Sequence, residues 1–321
     1  MVNQLRDTEK DVVLVDCGNF MSERDYGRDL IAGVTLEAMG IMKYDAVALG
    51  PQDLLLGPKP LRSLLSAARL PVVASNLYDG DTETPFEKPY VLVEKAGIRV
   101  GILSVMPPPS QEEQESNPFL KAAPSEKSSS EEAGSVTHRE TFGILPMEEA
   151  VRKAVAGIAG KADIIILLSQ AGYDETCDLV NRVPGIDLAV YEGGRRGTPG
   201  KTPEKTLLMR APSDGTSIGY ARFALEGGKA FLKQNKMMSL SCSAREPALP
   251  EDPAVAALVG DNFERKLVEL RRERERQAEE QVIEEARELW KLSPREFLEM
   301  EMKKKAIAGT GEPAENPFMG R

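Results

Sequence analysis

The chain has 321 residues, of which 41% are hydrophobic and 29% charged, and it carries a formal net charge of −10. That length buries a large core and accommodates one big domain or about two ordinary ones. The acidic balance argues against broad contact with nucleic acid or anionic lipid, and no apolar run approaches the roughly 20 residues of a membrane span.

The opening MVNQLRDTEKDVVLVDCGNF lacks the basic head, apolar stretch and cleavage site of a signal peptide. Short apolar runs at 12–15, 46–49, 72–74 and 100–105 have the pattern of buried strands, each ending in turn chemistry. Between them, 29–42 and 59–70 show helical spacing, with Gly40 placed to close the first helix. Lys95-Ala96-Gly97 marks a hairpin-type turn between 91–94 and 98–105. Strand–helix alternation of this kind implies a layered α/β domain.

Residues 107–140 change character, being rich in Pro, Ser and Glu and poor in apolar surface, which predicts a flexible insert within one domain. A helix at 146–157, a strand at 163–168, a helix at 175–183 and a strand at 186–190 resume the pattern. Residues 206–211 and 217–225 are expected to pair antiparallel. The organisation expected is a domain over 1–245, a helical extension over 252–307 and a disordered tail over 308–321. Within the extension, 253–291 form a charge-dense helix with opposite-charge pairs at helical spacing but no sustained heptad, so a long coiled coil is not expected. Phe263 and Trp290 are expected to dock that helix on the domain, and Ser293-Pro294 starts a second short helix.

Cys17, Cys177 and Cys242 are odd in number and widely spaced, which indicates neither a disulfide framework nor a thiolate metal site. They read as buried small hydrophobes. The single histidine, His138, lies in the Ser/Glu-rich insert and reads as an exposed side chain.

The segments VLVDCGN, LEAMGIMKYDAVALGPQDLLLG, PVVASNLYDG, PYVLVEKAGIRVGILSV, ADIIILLSQAG and VPGIDLAVYEGG together resemble the metal-binding domain of the 5′-nucleotidase family of calcineurin-like metallophosphoesterases. That family reads roughly LLDAGD, AMNxLGYDAxxLGNHEFDFG, a strand ending in SANI, an extended hairpin, ADVIILLSHLG and GIDLIIGGHSH. The resemblance covers roughly residues 10–225 and implies a four-layer α/β/β/α sandwich with metals at the carboxyl ends of the strands. It also implies a ligand set that this chain lacks. The metal-bridging aspartate of AGD falls on Asn19, and the asparagine and histidine of GNHE fall on Pro51 and Gln52. The histidine of LSHLG falls on Gln170, and the two of GGHSH fall on Gly193 and Arg195. The family's DxH motif is not in the sequence. An extension ahead of Met1 would restore at most one aspartate and one histidine.

A neutral amide is a poor bridge between divalent ions, and proline offers only a carbonyl. The expectation is therefore a pseudoenzyme acting as a binding or scaffold protein, with no catalytic residue, no metal ligand and no cofactor. The alternative is a divergent phosphoesterase acting on nucleotides, for which a divalent Mn, Zn or Fe would be needed. Asp16, Asp53 and Asp187 are expected to be structural hydrogen-bond acceptors. Arg195 and Arg196, in a glycine-rich turn, are candidates for holding a phosphate or carboxylate without metal. The C-terminal helix or the remodelled cleft is the expected surface for a protein partner. As written the chain would stay in the cytoplasm; a truncated start would place it in the periplasm or cell envelope.

Overall fold

The computed structural model describes residues 1–9, 11–21, 27–80, 84–120, 140–192, 205–212, 215, 217–226, 229–240 and 251–291. The chain opens with α1 (Val2–Thr8), β1 (Val15–Asp16), α2 (Arg28–Ile41) and β2 (Ala46–Ala48). A 3-10 turn (Asp53–Leu56) leads to α3 (Pro58–Ala68), β3 (Val72–Val73), β4 (Leu77–Asp79), β5 (Tyr90–Lys95) and β6 (Ile98–Val105). Next come α4 (Gln111–Ser116), β7 (Phe142–Ile144), α5 (Met147–Ile158), β8 (Ile164–Ser169), α6 (Tyr173–Arg182) and β9 (Leu188–Tyr191). The described chain finishes with β10 (Leu207–Arg210), β11 (Ser217–Glu226), β12 (Lys229–Ser239), α7 (Pro253–Val259) and α8 (Asp261–Lys291).

Local chemistry accounts for several of these elements. Pro58 opens α3, where a missing N–H costs nothing, and Leu61 and Leu65 share the buried face of that helix. Ala96 and Gly97 both have positive φ, 48° and 79°, which is the geometry of a two-residue hairpin turn, so β5 reverses into β6 as expected. Every residue of β8 is buried, as a parallel strand covered on both faces must be.

Two main sheets result. One is parallel, in the order β1-β2-β3; the other runs β10-β9-β8-β6-β5, with β5 antiparallel at its edge. Alternate residues of each strand point to opposite faces. Val47 and Val72 therefore meet Leu36 of α2 and Leu61 of α3 in one core. Ala46, Ala48 and Val73 turn the other way, onto Ile102, Ile164, Ile166 and Leu188 of the second sheet. The far face of that sheet, with Leu103, Ile165 and Leu167, packs on Val151 and Ile158 of α5 and Leu179 of α6. Helix, sheet, sheet, helix is the expected four-layer α/β/β/α order.

Other expectations need correction. α2 runs through Gly40 to Ile41, so Gly40 does not end it. β10 pairs parallel with β9, and the antiparallel partner of β11 is β12, whose largely polar sequence hides it from a search for apolar runs. The helix expected over 253–291 is broken at Gly260 into α7 and α8. Residues 107–120 are ordered at the start of the insert. Ser110 Oγ accepts from the Glu113 N–H at 3.2 Å while Glu113 Oε2 accepts from the Ser110 N–H at 2.7 Å, a reciprocal cap on α4. Phe119 and Leu120 then pack against the first core. Residues 121–139, with His138, lie outside the described residues, as do Cys242, the Ser293-Pro294 helix and the tail.

The chain divides into two units, Met1–Phe263 and Glu264–Arg321. The division falls later than the expected 246–251 because α7 packs against α2 and Asn3 Nδ2 donates to Asp252 at 2.8 Å. In the second unit, α8 carries the expected ion pairs one helical turn apart, such as Arg271–Glu275 at 2.9 Å. Trp290, expected to dock the helix, is instead 90% exposed. Among the described residues, no helix is long and apolar enough to cross a membrane.

Candidate functional site

The carboxyl ends of β1, β2, β8 and β9 converge, as the ends of parallel strands in such sheets do where ligands are held. Asn19 follows β1, Gly50-Pro51-Gln52 follows β2, Gln170 follows β8 and Glu192 follows β9. Four of the six positions at which the family resemblance places metal ligands (Asn19, Pro51, Gln52 and Gln170) thus sit on neighbouring turns. Gly193 and Arg195 lie outside the described residues, as does Arg196.

Backbone conformation brings the first two turns into contact. Gly18 has φ +96° and Asn19 φ +58°, and asparagine is among the few L residues that enter this left-handed region readily. A side chain at Gly18 would meet the Gly50 nitrogen at 2.7 Å, and one at Gly50 would strike the Asn19 side chain, so only glycines permit this approach.

The side chains then form a closed network of amides. Asn19 Nδ2 donates to Gln170 Oε1 and to Glu192 Oε2, both at 2.9 Å. Its Oδ1 accepts from the Gln52 N–H at 3.0 Å. Gln170 Nε2 donates to the Cys17 carbonyl, and the Gln170 turn is held from below by Ser169, whose hydroxyl pairs with Thr176 at 2.8 Å and accepts from the Ala171 N–H. Asn19 thus spends its polar atoms on three neighbours, where the bridging carboxylate of the family would face two cations.

Beneath this network lies Asp53, fully buried. Its carboxylate accepts from the N–H groups of Asn19 and Gly50 at 2.8 Å and of Met21 at 3.1 Å, clasping the two turns together. Burial pushes its pKa up to about 7 despite those donors. Asp16 accepts from the Gly18 N–H at 2.8 Å, and burial, with the Glu192 charge adding to it, lifts it to about 6. Burial also raises the Cys17 thiol, helped by Asp16 and Glu192, so the thiol is inert and donates to the Val190 carbonyl. Asp187 is remote from these turns and accepts from the Ile165 N–H at 2.8 Å. Cys17 and Cys177 are both buried, and both are thiols.

Glu192 is the site residue that sequence reasoning missed. The signal was present, because it falls on a glycine of the family's GGHSH segment, but at a position where that segment carries no ligand. Among the described residues, no three His, Cys, Asp or Glu side chains stand where they could share a metal ion.

No protein-family model matches the chain. The Probable 5′-nucleotidase of Treponema pallidum (strain Nichols) is 23% identical over 221 residues, which span 64% of this chain and 34% of that protein. The 2′,3′-cyclic-nucleotide 2′-phosphodiesterase/3′-nucleotidase of Haemophilus influenzae (strain ATCC 51907 / DSM 11121 / KW20 / Rd) is 26% identical over 125 residues, 34% of this chain and 19% of that protein. The chain therefore matches about a third or less of these curated relatives. Among solved structures, the 5′-nucleotidase precursor from Thermus thermophilus superposes with a TM-score of 0.62 at 22% identity, covering 84% of this chain and 52% of that one. The calcineurin-like phosphoesterase YfkN from Bacillus subtilis gives 0.63 at 17% identity, covering 84% and 88%. The chain has the calcineurin-like phosphoesterase fold, in the form found in 5′-nucleotidases, and its sequence bears a distant resemblance to that family.

Proposed function

We propose that the chain is a pseudoenzyme of this fold, in which the turns that would hold a two-metal centre serve as a metal-free binding or scaffold surface. The observation that carries the reading is the bonding of Asn19. Its amide nitrogen satisfies Gln170 and Glu192, and its oxygen takes the Gln52 N–H. A cation there would have to displace the Gln52 N–H from the amide oxygen and would gain one neutral ligand in return, against a desolvation cost of several kcal/mol or more. The donor set does not fit a binuclear metal centre. Phosphate-ester hydrolysis in this fold relies on metal to neutralise the phosphate and activate water, so no hydrolytic step is derived for these residues.

A second reading, a divergent metal-dependent phosphoesterase acting on nucleotides, draws support from the sequence similarity to relatives named as nucleotidases and from Glu192, a new carboxylate at the site. Elemental mass spectrometry on protein purified with manganese and zinc present separates the two. The pseudoenzyme reading expects less than about 0.1 ion per chain. Retention of about one or two ions per chain would sink it and favour the second reading.

A further inference from the structure

We infer that the last three turns of α8 form an antiparallel pair with the same turns of a second copy of this chain. α8 has two apolar sides. Phe263, Leu267 and Leu270 are half-buried and lie on one of them. Val268, Ile283 and Trp290 return to within about 60° of one another at 3.6 residues per turn, on the roughly opposite side. These three are 45%, 52% and 90% exposed. A tryptophan that exposed, beside an exposed isoleucine on an otherwise charge-dense helix, is the composition of a helix-in-groove contact. Ile283, Arg287, Trp290 and Lys291 already line a shallow recess of about 490 Å³.

Charge selects the occupant and its direction. In a parallel pair, Arg287 would face Arg287 and Lys291 would face Lys291, which is repulsive. Reversing the second helix aligns Ile283 with Trp290 of the other copy. In that register Arg287 falls within a turn of Glu284, and Lys291 within a turn of Glu279 and Glu280, each relation occurring twice by two-fold symmetry. Glu284 and Glu280 at present bond within their own helix, to Arg287 at 3.2 Å and to Arg276 at 4.0 Å. Both are surface pairs of little strength that an intermolecular partner replaces at small cost.

Trp290 is the only tryptophan of the chain, so its fluorescence reports this face and no other. The experiment is sedimentation equilibrium of the full chain over a dilution series, with emission read on the same samples. The expected result is a mass rising from one chain of 35.1 kDa towards two as concentration increases, with a parallel blue shift. Trp290→Ala, which removes a side chain that is 90% exposed, should weaken association by about tenfold or more. Arg287→Glu/Lys291→Glu should also weaken it, and mixing that variant with Glu279→Lys/Glu280→Lys/Glu284→Lys should restore it as a heterodimer. A single-chain mass at every concentration overturns the proposal. So does a blue-shifted emission that dilution does not change, which would mean that the chain covers its own tryptophan. A shift seen only with anionic vesicles overturns it in favour of a lipid surface.

Discussion

Asn19→Asp tests the amide network most directly, because it exchanges one nitrogen for one oxygen with almost no change in shape. In the native chain that nitrogen donates to Gln170 and Glu192, each at 2.9 Å. An aspartate there turns both contacts into oxygen facing oxygen and sets a second carboxylate against Glu192. Two unit charges about 4 Å apart repel by about 4 kcal/mol at an effective dielectric near 20. Uptake of a shared proton limits the cost, so the expected loss is on the order of 2–4 kcal/mol near neutral pH. Urea unfolding of native chain and variant, in metal-free buffer at about pH 7 and about pH 5, reads it out, and the gap should narrow at the lower pH as the pair takes up its proton. A variant as stable as the native chain at neutral pH would falsify the network, since it would mean that a carboxylate is welcome where the amide sits. Excess Mn²⁺ or Zn²⁺ is expected to leave the native unfolding midpoint unmoved, because a ligand stabilises only the state that binds it.

Three further outcomes follow. Asp53→Ala leaves the N–H groups of Asn19, Gly50 and Met21 without their acceptor, and each orphan costs about 1–3 kcal/mol, so denaturant unfolding should show a loss of at least about 3 kcal/mol; a loss below about 1 kcal/mol would mean that water or a neighbour replaces the carboxylate. Asp16 and Asp53 have folded pKa values raised to about 6 and about 7. The native state therefore binds more protons than the unfolded chain between about pH 4 and 7. The contribution of these two groups to stability is then greatest near pH 4 and declines as pH rises through that window, and a stability profile that Asp53→Asn fails to flatten contradicts the assignment. Gly57→Ala places a methyl at φ +79° with ring carbons of Phe119 at 2.8 Å. It should lower the thermal midpoint by an amount equivalent to about 1–3 kcal/mol, and Phe119→Ala in the same chain should relieve part of that.

Much of the fold was legible because its strands are short and apolar and its turns carry their own chemistry. The β5–β6 hairpin was written in Lys95-Ala96-Gly97, and the layering in the alternation of 46–48, 72–74 and 164–168 with amphipathic helices. β12 was not legible. Its sequence KAFLKQNKMMS has no apolar face to detect, and its identity as a strand comes from pairing with β11. The parallel placement of β10 beside β9 is likewise a tertiary fact, since a four-residue run does not state its direction. The ordered start of the insert was legible in the Ser110-to-Glu113 spacing but was masked by the composition around it.

The site divides along the same physical line. Substitution by substitution, the sequence states how the turns differ from the pattern of the family it resembles, and such a difference can be read one position at a time. How the side chains at those positions bond depends on four turns meeting, which no single segment records. Glu192 enters where the family segment has glycine, Asn19 can occupy φ +58° where most residues resist it, and the bareness of Gly18 and Gly50 lets the two meet. Each change alone is compatible with a damaged site. Among the described residues no buried side-chain polar atom lacks a partner, those of this network included. The amide network closes on itself through Asn19, and that bonding is what the proposed metal-free reading rests on.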